Sequence, residues 1–193
     1  MIYVRQLDKV RQEKPLLFSY RRCPYAMRAR MALLSCGIFE ISLKDKPKQM
    51  IEISPKGTVP VFVYKDLVLD ESIDIMNWAV EQKNNISIKI NPNDLVIIKR
   101  MIKSNDGEFK NKLDLYKYTS NKEASLKIRY RKECEVYIRN IDERLETQEY
   151  LLSNKFGYLD IAIFPFIRQF FNVDLKWFEQ ASYNNLKNWV ERI

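Results

Sequence analysis

The stretch that decides the fold is "RRCPYAMRAR", residues 21–30, which places a cysteine and a proline where a helix is expected to begin. The residues before it are apolar, and the apolar residues that follow recur at helical spacing: Met27, Met31 and Leu34. This pattern predicts a strand, a short turn and a helix. Pro24 suits the first helical position, because its missing N–H would have no partner there. We therefore expect Cys23 at or beside the N-cap of this helix.

Cys23 has the surroundings of a reactive thiol. A helix N-terminus offers unpaired backbone N–H groups and the positive end of the helix dipole, and both stabilise a thiolate. Arg21 and Arg22 add positive charge, with Arg28 a further candidate. Such surroundings lower a cysteine pKa from about 8.5 towards roughly 3.5–7.5, which provides a nucleophile in a chain that contains no histidine. The alternative is a small buried residue, but the flanking arginines and the polar turn favour a reactive cysteine.

The remaining cysteines and the absence of histidine narrow the chemistry further. Cys36 and Cys134 fall among apolar residues at helical spacing, which favours inert packing. The three cysteines form no CxxC pair and have no zinc-like spacing, so reduced thiols are expected. Without histidine, Ser-His and Cys-His nucleophile pairs are excluded, and we expect no metal site.

Two further motifs contribute to a predicted binding site around the reactive cysteine. "GTVPV", residues 57–61, places Pro60 directly before an apolar strand. A cis bond here would expose the backbone of Val59 to an extended peptide, although most bonds before proline are trans. "DES", residues 70–72, precedes a helix, so Ser72 either helps to form an anion-binding corner or is merely an N-cap. Together these features predict a site for a small anionic peptide that carries its own sulfur.

The hydrophobic periodicity divides the chain into two halves. Residues 15–83 alternate short apolar segments with helical ones in the order β-α-β-α-β-β-α. Residues 84–93 are predicted to be a linker, residues 94–193 an all-helical domain, and residues 1–14 an N-terminal extension. The helices expected in the second half lie near 95–102, 126–145, 160–171 and 186–193. The predicted fold class is therefore a small α/β domain followed by an all-α domain.

Charge and composition argue against several classes of protein. The formal net charge of +8 invites a nucleic-acid or membrane-surface interpretation. The basic residues form no long run, however, and no tract interleaves them with aromatic residues, so a solvated surface is favoured. No stretch approaches the ~18 apolar residues of a membrane span, and the first residues lack the apolar core of a secretion signal. We expect a cytoplasmic protein with no membrane or nucleic-acid partner.

Five motifs together resemble those of one known family. Four lie in order within residues 21–76: "RRCPYAMRARMAL", "LKDKP", "SPKGTVPV" and "DESIDIM". The fifth, "YLDIAIFPFIRQF" at 158–170, is similar to the signature helix of that family's helical domain. The sequence resembles a glutathione S-transferase, most closely the cysteine-containing, omega-like branch with bacterial-type members. The resemblance implies a thioredoxin-like N-terminal domain, an all-helical C-terminal domain, a homodimer, and glutathione as co-substrate.

The resemblance also implies roles for individual residues. Cys23 would form a mixed disulfide with glutathione. Val59, before a cis Pro60, would pair its backbone with the cysteinyl unit of glutathione. Glu71 and Ser72 would hold the γ-glutamyl end, with its amine and its carboxylate.

Further contacts are implied at the other end of the ligand and beside the thiol. Lys46, in "LKDKP", would reach the glycine carboxylate of glutathione. Arg21, Arg22 and Tyr25 lie next to the reactive cysteine in sequence and are candidates for an auxiliary role.

The implied function is a glutathione-dependent thiol transferase or reductase, acting on a small disulfide or electrophile, with dehydroascorbate reduction within reach of the same thiol. A single cysteine suffices for this cycle. Conjugation is less favoured because serine or tyrosine usually activates glutathione there, although Tyr20 and Tyr25 keep it open. The alternative is a non-catalytic adaptor or regulatory protein with the same fold, against which the intact motifs argue. Candidates for the second-substrate pocket are Phe109, Tyr116 and Tyr118.

One position departs from the family's usual pattern. The family commonly has Ser or Thr three residues before the aspartate of the signature helix, where this chain has Gly157 before Asp160. Glycine is an adequate N-cap but has no side chain to accept a hydrogen bond. We therefore expect a stability lower by about a few tenths of a kcal/mol than with serine.

Overall fold

A computed structural model describes residues 15–34, 39–42, 47–82, 88 and 90–193, with the backbone alone for 39–42. The chain divides into two compact units, residues 1–89 and 90–193. Three predicted features lie outside the described residues: Lys46, Cys36 and the extension 1–14.

The first unit is a four-stranded sheet with helices in the order that the sequence predicts. Its strands are β1 Leu16–Ser19, β2 Phe39–Ser42, β3 Val61–Tyr64 and β4 Leu67–Leu69, and its helices are α1 Pro24–Leu33, α2 Lys48–Ile53 and α3 Ser72–Glu81. The strand order is β2-β1-β3-β4. β1 pairs with β2 in parallel and with β3 antiparallel, and β3 and β4 form an antiparallel hairpin.

β1 and β3, the two central strands of the described sheet, contain continuous apolar runs. Residues 16–18 of β1 and 61–63 of β3 are each at most 3% exposed. Apolar side chains on both faces favour a strand that is covered on both sides. β4 lies at the edge, where Leu67 and Val68 are exposed, and Lys65 turns the hairpin with a φ of 53°.

The second unit is helical, and its described residues contain no strand. Its helices are α4 Leu95–Ser104, α5 Lys110–Tyr118, α6 Ala124–Arg144, α7 Tyr158–Phe171, α8 Leu175–Gln180 and α9 Asn184–Arg192. A π-helical segment, Asn105–Phe109, joins α4 directly to α5. The predicted α/β domain followed by a helical domain is confirmed, whereas α5 and α8 were not predicted. No helix among the described residues is long and apolar enough to cross a membrane.

The core of the second unit is organised around α7 and its buried aspartate. Asp160 is 1% exposed. Its Oδ1 accepts hydrogen bonds from the backbone N of Leu151, at 3.0 Å, and from Nε1 of Trp189 in α9, at 2.8 Å. Its Oδ2 accepts from the backbone N of Gly157, the N-cap of α7, at 3.0 Å. The carboxylate thus ties the start of α7 to α9 and to the loop before α7.

Candidate active site

Cys23 lies where the sequence predicts it. It is the N-cap of α1, with φ −81° and ψ 121°, and Pro24 is the first helical residue. The backbone N of Met27 donates to the Cys23 carbonyl oxygen at 2.9 Å, which closes the first helical turn. The residue is half-buried. The thiol therefore belongs to a partly exposed residue at the positive end of a ten-residue helix.

The "GTVPV" motif contacts Cys23, although Val59 lies 36 residues further along the chain. The Cys23 thiol donates to the Val59 carbonyl oxygen, with 3.6 Å between Sγ and O. The Val59–Pro60 bond is cis, which the motif alone only permits and the family resemblance implies. Gly57, at the start of the motif, has a φ of 59°, a conformation that glycine adopts without a steric penalty. The loop before β3 and the start of α1 thus form one surface around the sulfur.

Arg30, which was not predicted from the sequence, stabilises the turn that precedes Cys23. The backbone N of Cys23 donates to the Tyr20 carbonyl oxygen at 3.1 Å. Arg30, on α1, donates from Nη1 to the same carbonyl oxygen and from Nη2 to that of Arg21, both at 3.2 Å. Arg21 and Arg22 have exposed side chains. Only the spacing of arginines on a mostly apolar helix hinted at the role of Arg30.

Arg28 has a different environment from the one we expected of a charge near the thiol. It is completely buried, and Nη1 donates to Ser72 Oγ at 3.2 Å. Its guanidinium lies 5.6 Å from the centroid of the Tyr25 ring, within range of a cation–π interaction. Tyr25 itself is half-buried. The arginine therefore connects α1 with the start of α3.

The observed start of α3 contradicts one of the two interpretations of "DES". Ser72 is the first helical residue and Glu71 is the N-cap, so the interpretation of Ser72 as merely an N-cap is wrong. The backbone N of Ile75 donates to the Glu71 carbonyl oxygen at 3.1 Å, but no side chain caps the helix. The backbone N–H groups of the first turn are thus left without a capping side chain.

A small charged cluster lies next to this helix start. Lys56 Nζ donates to Asp70 Oδ1 at 3.0 Å and to Glu71 Oε1 at 2.8 Å, and Ser54 Oγ donates to Asp70 Oδ2 at 2.9 Å. Hydrogen bonds to Glu71 and Asp70 raise the pKa of Lys56, and the hydrogen bond from Lys56 lowers the pKa of Asp70. Glu71 is 65% exposed, so the pair adds little to stability but fixes the carboxylate. Lys56 was not among the residues predicted from the sequence.

The family assignment follows from comparison with known proteins. Residues 17–87 match the family model of the glutathione S-transferase N-terminal domain, and residues 100–193 match that of the C-terminal domain. A probable glutathione transferase of Aplysia californica is 34% identical over 64 residues, which are 28% of this chain and 70% of that protein. The chain belongs to the glutathione S-transferase family.

Other relatives match over shorter shares of their length. Glutathione S-transferase GstB of Escherichia coli is 36% identical over 62 residues, 32% of this chain and 28% of GstB. A stringent starvation protein A homolog of Haemophilus influenzae is 34% identical over 70 residues, 34% of this chain and 33% of the homolog. The match thus spans about a third or less of the length of these two relatives.

Solved glutathione transferases share the fold at low sequence identity. A family member from Pseudomonas fluorescens with two glutathione molecules bound superposes with a TM-score of 0.77 at 16% identity, covering 93% of this chain and 88% of that chain. Glutathione transferase Omega 3C of Trametes versicolor gives 0.76 at 17% identity, covering 95% and 82%. A Tau-class enzyme from mango also gives 0.76. Because both classes score alike, the fold does not select a branch of the family.

Residues of the helical unit complete the description of the predicted sites. Phe109 and Tyr116 are each 2% exposed and pack against Phe170 in an aromatic core, which leaves them little surface for a substrate. Tyr118 is 73% exposed. Cys134 is completely buried, as predicted, and burial raises the pKa of its thiol to about 12. Within the described ranges, no group of His, Cys, Asp and Glu has a metal-binding arrangement.

Proposed function

We propose that the protein is an omega-like, glutathione-dependent thiol transferase or reductase whose nucleophile is Cys23. The observation that carries the proposal is the half-buried cysteine at the N-terminus of α1, with its sulfur beside the backbone of Val59. Glutathione bound to the Pseudomonas fluorescens relative supports the choice of co-substrate.

The proposed cycle needs one cysteine and two molecules of glutathione. The Cys23 thiolate attacks the glutathione sulfur of a mixed disulfide, forms a Cys23–glutathione disulfide and releases the substrate as a thiolate, which takes up a proton. A second glutathione thiolate then attacks the glutathione sulfur, which yields glutathione disulfide and regenerates the Cys23 thiolate. The positive end of α1 favours negative charge on sulfur during both steps. Dehydroascorbate reduction would use the same thiol.

Glutathione would lie across the surface that joins Cys23 to the start of α3. The backbone of Val59, before Pro60, would pair with the cysteinyl unit. Glu71 would hold the ammonium of the γ-glutamyl end and Ser72 its carboxylate, next to uncapped N–H groups. Lys46 would bind the glycine carboxylate. The exposed Arg21 and Arg22 would attract the anionic peptide, and Tyr25 would line the site.

Replacing the nucleophile tests this function directly. We expect Cys23→Ser to reduce glutathione-dependent reduction of a glutathionylated peptide to the uncatalysed rate, because a serine hydroxyl does not form a mixed disulfide. Cys134→Ser is the matched control, since Cys134 is buried in the second unit, and it should retain the activity of the wild type. Full activity of Cys23→Ser would contradict the assignment.

A second candidate is a non-catalytic adaptor with the same fold. It is favoured by the match to a relative that is named a stringent starvation protein A homolog rather than a transferase. Passage over immobilised glutathione distinguishes the two: an adaptor without a glutathione site flows through, whereas the proposed enzyme is retained and elutes with free glutathione. We also propose a homodimer, which sedimentation velocity would reveal as a single species of twice the chain mass.

A further inference from the structure

Arg28 is a buried cation whose position calls for an explanation. It lies on α1 five residues after Cys23 and is 0% exposed. A charge removed from water is costly unless the protein satisfies it with hydrogen bonds and charge contacts. Here the guanidinium donates to the first residue of α3, Ser72, and lies over the ring of Tyr25. The arginine thus joins the helix that carries the proposed nucleophile to the helix that would bind the other end of glutathione.

The direction of this hydrogen bond determines whether the Ser72 hydroxyl can donate a hydrogen bond to a ligand. A guanidinium has donors and no acceptor, so Ser72 Oγ accepts and its own proton must point elsewhere. Among the described residues, none accepts a hydrogen bond from the Ser72 hydroxyl. Both residues are buried, Ser72 being 4% exposed, so water competes little with the bond. Within the part of the chain that the structure describes, the hydroxyl is therefore a donor without an acceptor, at a helix start that no side chain caps.

We propose that Arg28 is a positioning residue for the γ-glutamyl end of glutathione. By donating to Ser72 Oγ it leaves the hydroxyl proton directed to the ligand carboxylate, and its positive charge polarises the hydroxyl into a stronger donor. Arg28 acts through Ser72 and does not touch the ligand. This inference rests on the proposed function, because it names a residue that supports the same glutathione site.

Ligands that differ at one end test the proposal. Dissociation constants are measured by calorimetry for glutathione, for γ-glutamylcysteine, which keeps the γ-glutamyl end, and for cysteinylglycine, which lacks it. We expect Arg28→Gln to weaken the first two by about tenfold, the size of a lost hydrogen bond to a charged group, and to leave cysteinylglycine within about twofold. Ser72→Ala should have the same profile. The double variant should bind no more weakly than Ser72→Ala, because both changes remove the same interaction.

Controls separate positioning from folding and from the function itself. Arg168→Gln, an exposed arginine of α7, removes the same charge and should bind all three ligands like the wild type. If Arg28→Gln does not fold, Arg28→Lys keeps the charge, and a partial loss confined to the γ-glutamyl ligands is expected. An equal loss for cysteinylglycine, or additive effects in the double variant, would overturn the role of Arg28 alone. A wild type that does not bind glutathione would overturn the proposed function as well.

Discussion

Two thiols of the chain lie in opposite surroundings, and their side-chain environments decide what each does. Cys23 is half-buried at a helix N-terminus, beside the backbone of Val59. Cys134 is completely buried in α6, where loss of hydration raises the pKa of the thiol to about 12. The same physical cause raises the pKa of Tyr116 and of Tyr183 to about 12. A buried group that stays neutral in the fold but ionises on unfolding makes stability depend on pH.

The buried thiol predicts a loss of stability in alkaline solution. Burial places the pKa of Cys134 in the folded protein above that of an exposed thiol. The stability that the neutral thiol contributes is therefore fully present below the pKa of an exposed thiol and is lost as the pH rises towards 12, because the unfolded state releases the proton first. We expect the free energy of unfolding of the wild type to fall more steeply between pH 8 and pH 10.5 than that of Cys134→Ala, as measured by urea denaturation. Parallel declines would contradict this explanation.

At the scale of single residues, the sequence predicted the reactive cysteine better than it predicted which charged side chains are buried. The position of Cys23 followed from Pro24 and the helical spacing behind it. The roles of Arg28 and Arg30 could not be predicted in the same way, because arginines on a helix are usually solvated surface residues. Which arginine is buried depends on the helix that packs against it. The one sequence feature that pointed to buried arginines is that Arg28 and Arg30 lie among alanines and methionines in α1.

At the scale of elements, the start of α7 carries an incomplete capping box. Asp160 Oδ2 accepts from the backbone N of Gly157, but glycine has no side chain to accept from the third helical N–H in return. Gly157 has φ −153° and ψ −167°, an extended conformation that any residue adopts. A Cβ built there meets no atom closer than 3.9 Å, from Asp160 Oδ2 or the Lys155 carbonyl oxygen. A serine would therefore fit without strain.

Completing the capping box should stabilise the protein. We expect Gly157→Ser to raise the free energy of unfolding by about 0.5 kcal/mol, since the hydroxyl supplies the missing acceptor and the unfolded chain loses freedom. For a chain of this size the midpoint of thermal unfolding should rise by about 1–2 °C, measured by calorimetry. Gly157→Ala adds the Cβ without the hydroxyl and is the matched control. A serine variant no more stable than the alanine variant would refute the missing-acceptor explanation.

The elements that sequence patterns missed have physical reasons for being hard to see. α5, Lys110–Tyr118, buries only Leu113 and Tyr116, so its apolar periodicity is weak. It follows α4 through a π-helical segment that contains Asp106 and Gly107, and a π-helical segment shifts the phase of a 3.6-residue pattern. α8 spans six residues, too few to establish a period. The hairpin β3–β4 was predictable because two apolar runs flank a two-residue turn.

At the scale of the whole molecule, the proposed chemistry is concentrated in one unit. Of the residues proposed to bind glutathione, those that the structure describes are Cys23, Val59, Pro60, Glu71 and Ser72, and all belong to the unit of residues 1–89. The N-terminal family model covers residues 17–87 of the same unit. The linker at 84–93 stays a prediction. The net charge of +8 would attract the anionic glutathione that we propose as co-substrate, so the charge by itself does not call for a nucleic-acid partner.

The most direct test of the account is whether Cys23 forms a mixed disulfide with glutathione. The protein is incubated with glutathione disulfide, digested without reduction, and mapped by mass spectrometry. We expect glutathione on the peptide that contains Cys23, removal of it by excess reduced glutathione, and an unmodified Cys134. An unmodified Cys23 in folded protein would contradict the proposed function, and glutathione found on another cysteine instead would assign the chemistry to that residue.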